Sequence, residues 1–166
     1  EGLNLGNDVF ISGTVGAALQ GNFYEIPSIA ISTSLAKNGM GFDAAAKMGQ
    51  LLARKAQEKG LHPRTLLNVN FPNVPLEEIQ GIELTRLGHR NYRDKIKKGN
   101  DGKRDYYWIE RGEPECGEGK GDDIWAIRQK RISITPLRSN LTNPSQLHSL
   151  EDLCSSLLQE LHPSGN

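Results

Sequence analysis

The sequence predicts an α/β fold, because two short apolar segments flank a longer amphipathic one. Residues 26–32 and 66–71 are short, apolar and rich in β-branched residues, which is typical of buried strands. Residues 43–59 between them have the spacing of an amphipathic helix, with a core-facing stripe at Ala45, Met48, Leu52 and Ala56. A strand, a helix and a strand joined by short links indicate a parallel pair in an α/β layer.

A Gly- and Asn-rich stretch precedes the first strand and leads into a small-residue helix. Residues 13–19 favour a short buried helix, which Gly21 is expected to end. We call residues 4–18 the amino-terminal segment, and we interpret it as an anion-holding loop that runs into this helix. Backbone amides at a helix start attract phosphate, and small residues allow its close approach.

Four residues of this segment are candidate phosphate ligands. Gly13 leaves room for the anion, Ser12 and Thr14 offer hydroxyl donors, and Asn4 offers an amide donor. The alternative is that Ser12 or Thr14 only caps the helix, a common use of these residue types. The residues alone leave both interpretations open.

The character of the chain changes after residue 80. A predicted strand at residues 82–87 is followed by a basic stretch, the turn signal Asn100-Asp101-Gly102 and a strand signal at residues 106–109, which together predict a hairpin arm. The arm carries the aromatic residues Tyr106, Tyr107 and Trp108. Beside them lie its basic residues, which are Lys95, Lys97, Lys98, Lys103 and Arg104. Such a mixture can bind single-stranded nucleic acid. Packing across the hairpin or a subunit interface explains it as well, and we favour that explanation.

Residues 113–123 are interpreted as a Gly- and acid-rich loop, in which residues 117–121 are flexible and solvated. Its string Gly117-Glu118-Gly119-Lys120-Gly121 lacks the spacing of a nucleotide-binding loop, and acidic neighbours such as Asp122 and Asp123 would repel phosphate. The four histidines show no metal-binding spacing, and no serine-hydrolase motif is present.

The carboxy-terminal part is predicted as a strand at residues 131–135 and a helix at residues 148–161. The helix has an apolar stripe, formed by Leu150, Leu153, Leu157, Leu158 and Leu161. Such a stripe needs a cover, often another subunit. We therefore divide the chain into residues 1–80, 81–136 and 137–166.

Composition excludes several classes of protein. The 166 residues contain 20 basic and 20 acidic side chains, so the zero net charge gives no global attraction for nucleic acid or an anionic membrane. No apolar run approaches the roughly 20 residues that span a bilayer. Two cysteines without a CxxC pair fit a reducing, cytoplasmic environment.

Several unusual strings in a fixed order resemble the SurE (survival protein E) family of metal-dependent 5′-nucleotidases. They are Gly2-Leu3-Asn4-Leu5-Gly6-Asn7-Asp8-Val9, Ser12-Gly13-Thr14-Val15-Gly16-Ala17-Ala18, Ile26-Pro27-Ser28-Ile29-Ala30-Ile31-Ser32, Asn68-Val69-Asn70-Phe71-Pro72, Thr85-Arg86, Tyr106-Tyr107-Trp108-Ile109, Ile132-Ser133-Ile134-Thr135-Pro136-Leu137 and Leu141-Thr142. The resemblance implies a Rossmann-like α/β core, of which this chain supplies the second half. It also implies a protruding β-hairpin arm and a carboxy-terminal helix exchanged between subunits of a homodimer or homotetramer.

The resemblance further implies hydrolysis of nucleoside monophosphates with Mg²⁺ or Mn²⁺. Asn4, Ser12, Gly13 and Thr14 would bind the substrate phosphate, with Asn4 and Thr14 as the catalytic residues and Asp8 bracing the loop. No metal ligand is expected in this chain, because the family's metal-binding Asn would fall immediately before Glu1 and its aspartate pair and serine have no counterpart. The chain therefore looks like part of a longer protein, and an inactive assembly fragment is the alternative. Neither a membrane nor nucleic acid is an expected partner.

Overall fold

The computed structural model describes residues 2–34, 41–92, 95–110, 112, 114–116 and 119–162. A short 3₁₀-helix, Gly6–Ile11, opens the chain, and two further 3₁₀ turns cover Leu76–Glu78 and His148–Leu150. The α-helices and strands of the first half are α1 (Gly13–Phe23), β1 (Ser28–Thr33), α2 (Gly41–Lys59), β2 (Leu66–Phe71) and β3 (Gly81–Leu84). Those of the second half are β4 (Arg90–Tyr92), β5 (Lys95–Asn100), β6 (Asp105–Glu110), β7 (Pro114–Cys116), α3 (Asp123–Arg128), β8 (Arg131–Pro136), α4 (Pro144–Leu147) and α5 (Glu151–Leu161).

A four-stranded sheet, in the order β1-β2-β8-β3, forms the centre of the fold. The predicted parallel pair is confirmed: β1 and β2 run parallel, with Ser28 opposite Leu66 and Thr33 opposite Phe71. β8 returns antiparallel to β2 and runs parallel to β3. The mixed sheet and its helices confirm the predicted α/β class.

One face of this sheet is apolar and packs against α2. Val69 and Phe71 of β2 and Ile132 of β8 form a buried cluster with Ala45, and Met48 and Leu52 pack against it. The apolar stripe that the sequence predicts for this helix therefore faces the core. The helix begins two residues before its predicted start, and it ends at Gly60, whose φ of +63° suits a glycine after a helix.

The opposite face of the sheet carries a buried polar group beside a small apolar cluster of Val9, Val15 and Ala30. Because side chains alternate along a strand, Asn68 and Asn70 lie on the face opposite Val69 and Phe71, and both are fully buried. Their register partners Thr135 and Ser133 on β8 are buried too, and both hydroxyls bond to that of Thr85. Buried polar groups need partners, so this face is where the chain can hold a polar segment.

Helix α1 differs from its prediction in length and in burial. It continues past Gly21 to Phe23, and only Val15 and Asn22 are buried. A Cβ on Gly21 would lie 2.7 Å from the Ser28 hydroxyl, so the missing side chain permits close packing against β1 and does not end the helix. The turn is instead made by Glu25, with a φ of +59°.

The predicted hairpin is present as β5 paired antiparallel with β6, and we call this hairpin the arm. Every residue of β6 is exposed. Within the arm, the rings of Tyr106 and Trp108 meet edge to face at 6.1 Å, and Lys98 forms an ion pair with Asp105 at 2.7 Å. The ion pair crosses the hairpin, whereas the two rings lie on the same strand, so contacts within the arm account for part of its basic and aromatic pattern.

The prediction of a Gly- and acid-rich loop at residues 113–123 is wrong in two places. Residues 114–116 form β7, which pairs antiparallel with β4 beside the arm. Asp123 begins α3 and is fully buried. Gly117 and Glu118 lie outside the described residues.

The carboxy-terminal helix is present in three short pieces, α4, a 3₁₀ turn and α5. The apolar stripe is exposed, with relative accessibilities from 46% at Leu150 to 75% at Leu161. No helix in the described ranges is long and apolar enough to cross a membrane.

Candidate phosphate-binding site

The backbone of Asn4 is held by two fully buried asparagines of β2. The Asn4 N–H donates to Asn70 Oδ1 at 2.8 Å. The Asn4 carbonyl accepts from Asn68 Nδ2 at 2.8 Å and from Asn70 Nδ2 at 3.1 Å. With both backbone groups bonded to the sheet, the position of Asn4 is fixed by side chains that cannot reach solvent.

The side chain of Asn4 points along the same edge of the sheet. Its Nδ2 donates to the hydroxyl of Ser32, the penultimate residue of β1. A carboxamide carries two N–H groups, so one donor remains for a ligand. Ser32 and Asn70 lie opposite each other near the carboxyl ends of two parallel strands, the edge at which open α/β sheets bind ligands.

A buried carboxylate holds the next part of the amino-terminal segment. Asp123 Oδ2 accepts the Gly6 N–H at 2.8 Å, and its Oδ1 accepts the Gly88 N–H at 2.8 Å. Gly6 has a φ of +53°, and a Cβ there would lie 2.6 Å from the Gly88 carbonyl oxygen, so the close approach requires glycine. Burial raises the pKa of Asp123, while the backbone N–H groups of Gly6, Gly88 and Ile124 act in the opposite direction.

Asp8 makes an ion pair that braces the same segment. Its Oδ2 lies 2.8 Å from a terminal nitrogen of Arg90, and the two side chains are only 14% and 21% exposed. Arg90 opens β4, so the pair links the amino-terminal segment to the strand that precedes the arm. The sequence-based expectation for Asp8 agrees with this contact.

The start of α1 combines a cap with free donors. Ser12 Oγ accepts the Val15 N–H at 3.1 Å, so the capping interpretation is correct for this hydroxyl. The cap uses an oxygen lone pair, which leaves the Ser12 proton available to an anion. Gly13 and Thr14 are exposed, and their amides have no acceptor within the described part of the chain.

Helix α1 directs these donors toward the edge where Asn4 lies. Gly21 packs beside Ser28 at the start of β1, and Val15 packs against Ala30 farther along the strand. The helix therefore runs antiparallel to β1, and its amino terminus points toward the carboxyl end of the strand and Ser32. The structure thus brings all four predicted phosphate ligands to one edge of the sheet.

Sequence reasoning assigned no role to the three side chains that anchor this edge, Asn68, Asn70 and Asp123. The two asparagines alternate with apolar residues in a strand that is otherwise buried, a pattern that indicates a polar face in need of partners. Asp123 directly precedes the apolar run Ile124-Trp125-Ala126-Ile127, which is typical of an acidic residue at a helix start. It was grouped instead with the acidic loop before it.

No group of three His, Cys, Asp or Glu side chains in the described ranges is placed to hold a metal ion. The four histidines are exposed. Asp8 and Asp123, the carboxylates closest to Asn4 in the network above, are engaged by Arg90 and by backbone amides.

The family described as Survival protein SurE matches residues 1–94. The 5′-nucleotidase SurE of Heliobacterium modesticaldum is 41% identical over 92% of this chain and 56% of its own length. That of Geobacter sulfurreducens is also 41% identical, over 99% of this chain and 64% of its own length.

The solved SurE protein from Aquifex aeolicus has the same fold. It superposes with a TM-score of 0.76 at 39% identity, covering 92% of this chain and 62% of the Aquifex chain. This chain thus spans 56% to 64% of the length of these relatives. On the family match, the sequence identity and the shared fold, the chain belongs to the SurE family.

Proposed function

We propose that the whole protein is a 5′-nucleotidase that hydrolyses nucleoside monophosphates to nucleoside and phosphate. Its curated relatives carry the name 5′-nucleotidase SurE. The observation that carries the proposal for this chain is the exposed start of α1, where free amides of Gly13 and Thr14 share a sheet edge with Asn4. Such an arrangement suits a phosphate group.

In this proposal the amino-terminal segment holds the phosphate and stabilises the charge that develops during displacement. The amides of Gly13 and Thr14 and the hydroxyls of Ser12 and Thr14 donate to phosphate oxygens, helped by the positive end of the helix dipole. The remaining N–H of Asn4 completes the set. Because its backbone is anchored on β2, Asn4 presents this donor without having to reorganise.

The proposal includes a divalent metal, Mg²⁺ or Mn²⁺, but the described residues do not fit such a site on their own. These ions take several oxygen ligands, commonly carboxylates, and the carboxylates beside the site are already bound. We therefore assign the metal ligands to other parts of the whole protein.

The proposal also includes a cytoplasmic homodimer or homotetramer. The stripe of α5 is uncovered within the described chain, and an open groove of about 740 Å³ lies beside α1, with apolar walls that include Val15, Leu19 and Leu66. A second copy can supply a cover for both surfaces. The exposed aromatic residues of the arm offer a further contact between subunits.

Turnover of a nucleoside monophosphate by the whole protein tests the phosphate site. Replacement of Thr14 or Asn4 by alanine should each lower kcat by about 10- to 1000-fold, as expected for the loss of one donor to the developing charge. The matched controls Thr142→Ala and Asn100→Ala, at exposed positions in the tail and the arm, should leave kcat unchanged. Unchanged turnover in folded Thr14→Ala and Asn4→Ala proteins would refute the assignment.

An inactive assembly fragment is the second candidate for the chain by itself. It is favoured by the incomplete coverage of the relatives and by the missing metal-ligand group in the described residues. Nucleoside monophosphate hydrolysis with Mn²⁺ should be measured for this chain beside a version extended to the length of its relatives. Activity in the longer version alone would identify the chain as the phosphate-holding part of an enzyme that needs its other part.

A further inference from the structure

We propose that Asp123 is a positioning residue of the phosphate site: its carboxylate ties the amino-terminal segment to the loop before β4 and so fixes the entry into α1. This inference rests on the proposed function. Asp123 bonds to backbone amides and to none of the four proposed phosphate ligands. It acts through the backbone that carries them.

Both carboxylate oxygens of Asp123 accept hydrogen bonds from backbone amides. One carboxylate oxygen bonds to Gly6, and the other bonds to Gly88 and to the Ile124 amide, each at 2.8 Å. A Cβ on Gly6 would lie 2.6 Å from the Gly88 carbonyl oxygen, and a Cβ on Gly88 would lie 2.8 Å from Ile124 Cδ1. No room is left for the two loops to shift against each other while Asp123 holds both.

The position of this tie makes it relevant to the site. Gly6 lies two residues after Asn4, and it begins the 3₁₀-helix that leads into the Ser12 cap. Asn4 is anchored on one side by Asn68 and Asn70, and Gly6 is anchored on the other by Asp123. Release of Gly6 would therefore free the entry into α1, while Asn4 would stay bonded to Asn68 and Asn70.

These hydrogen bonds require the two acceptor oxygens of a carboxylate, and a side chain of the same shape does not supply them. An ionised aspartate accepts hydrogen bonds at both oxygens, whereas asparagine has one acceptor and would direct an NH₂ donor at one of the backbone amides. A fully buried acid is costly unless it is well bonded, so packing alone would be served better by an apolar side chain. Burial raises the pKa of Asp123, in agreement with that cost.

The test compares Asp123→Asn with Thr85→Val in the whole protein. Both substitutions keep the side-chain shape and break buried hydrogen bonds, but Thr85 bonds to the hydroxyls of Ser133 and Thr135 and not to the amino-terminal segment. Thermal unfolding, kcat and KM for a nucleoside monophosphate, and hydrogen exchange of the Gly6 amide are measured for each. Wild-type turnover is measured first.

Asp123→Asn should lower kcat by about 10- to 100-fold, the cost of a small misplacement of a catalytic group, and should speed exchange at Gly6. Thr85→Val should lower the melting temperature while kcat and Gly6 exchange stay at wild-type values. If the two variants lose stability and kcat in parallel, Asp123 is only structural and the proposal is overturned.

A second variant covers the case in which Asp123→Asn does not fold. Gly6→Ala leaves Asp123 intact but forces the amino-terminal segment away from Gly88, and it should lower kcat in the same range with KM changed less than kcat. Wild-type kcat in folded Gly6→Ala would overturn the positioning role. An inactive wild-type protein would overturn the proposed function, and with it this inference.

Discussion

The amino-terminal segment and the arm both carry polar residues but use them in opposite ways. In the amino-terminal segment, Asn4, Gly6 and Asp8 bond to residues more than sixty positions away, several of them fully buried. In the arm, Asn100 and Asp101 bond only within their own turn, and the β6 side chains are exposed on both faces. The first region is held by the core, and the second is held by itself.

This difference separates the parts of the chain that its own core holds in place from the parts that we expect a partner to cover. The donors of the proposed phosphate site are held by the sheet and by α3, so their arrangement does not depend on a partner. Within the described ranges, the apolar residues of the arm and α5 are exposed and not packed on the core, so we expect a partner to cover them. The following predictions test this division, beginning with the largest effect.

Asn70→Ala should lower the free energy of unfolding by about 2 to 4 kcal/mol, because it leaves the Asn4 N–H without its acceptor in a buried site and opens a gap in the sheet. Chemical denaturation of the chain measures this change. The matched control Asn100→Ala removes two hydrogen bonds of the exposed arm and should change the same free energy by less than about 0.5 kcal/mol. Equal losses would contradict the division between the regions.

Leu157→Glu should weaken self-association by about 10- to 100-fold, since a buried leucine contributes about 1.5–3 kcal/mol and a glutamate contributes none of it. The free energy of unfolding of the monomer should hardly change, because Leu157 is already 50% exposed. Analytical ultracentrifugation measures the association. Gln159→Glu, which adds the same charge on the same helix away from the stripe, is the control, and an equal effect of both variants would assign the change to charge.

The smallest effect concerns pH. Burial raises the pKa of Asp123 above its ordinary value of 3.8, so the folded state binds this proton more tightly than the unfolded state does. Ionisation of Asp123 is then costlier in the folded state than in the unfolded chain, so the free energy of unfolding falls as the pH rises from 3.8 through the raised pKa. Asparagine does not titrate, so the free energy of unfolding of the wild type should fall relative to that of Asp123→Asn as the pH rises through this range. Denaturation at several pH values measures it, and the opposite slope would refute the raised pKa.

Much of the fold follows from local patterns in the sequence. β2 was predicted with its observed bounds because Leu66–Phe71 is apolar and is followed at once by Pro72. α2 was predicted from a helical stripe that does pack on the core. Where the local signal was ambiguous the prediction failed, as at Gly21, because a glycine in a helix can permit close packing as well as end the helix.

The ligands of the proposed site could be predicted, but their supports could not. Gly13 and Thr14 belong to a contiguous pattern with a known chemical use, a helix start with small residues. Asp123 reaches Gly6 across 117 positions, and no local pattern records a contact of that separation. β7 was missed for the same reason, since its pairing with β4 depends on how the chain closes around the arm.

A titration of the chain with inorganic phosphate, followed by amide chemical shifts, tests the central claim that the start of α1 holds phosphate. The amides of Gly13 and Thr14 should shift and saturate, because they are free donors at the positive end of a helix. The amides of Gly99 and Gly102 in the arm should not respond. Saturable shifts at the arm with none at Gly13 and Thr14 would contradict the account.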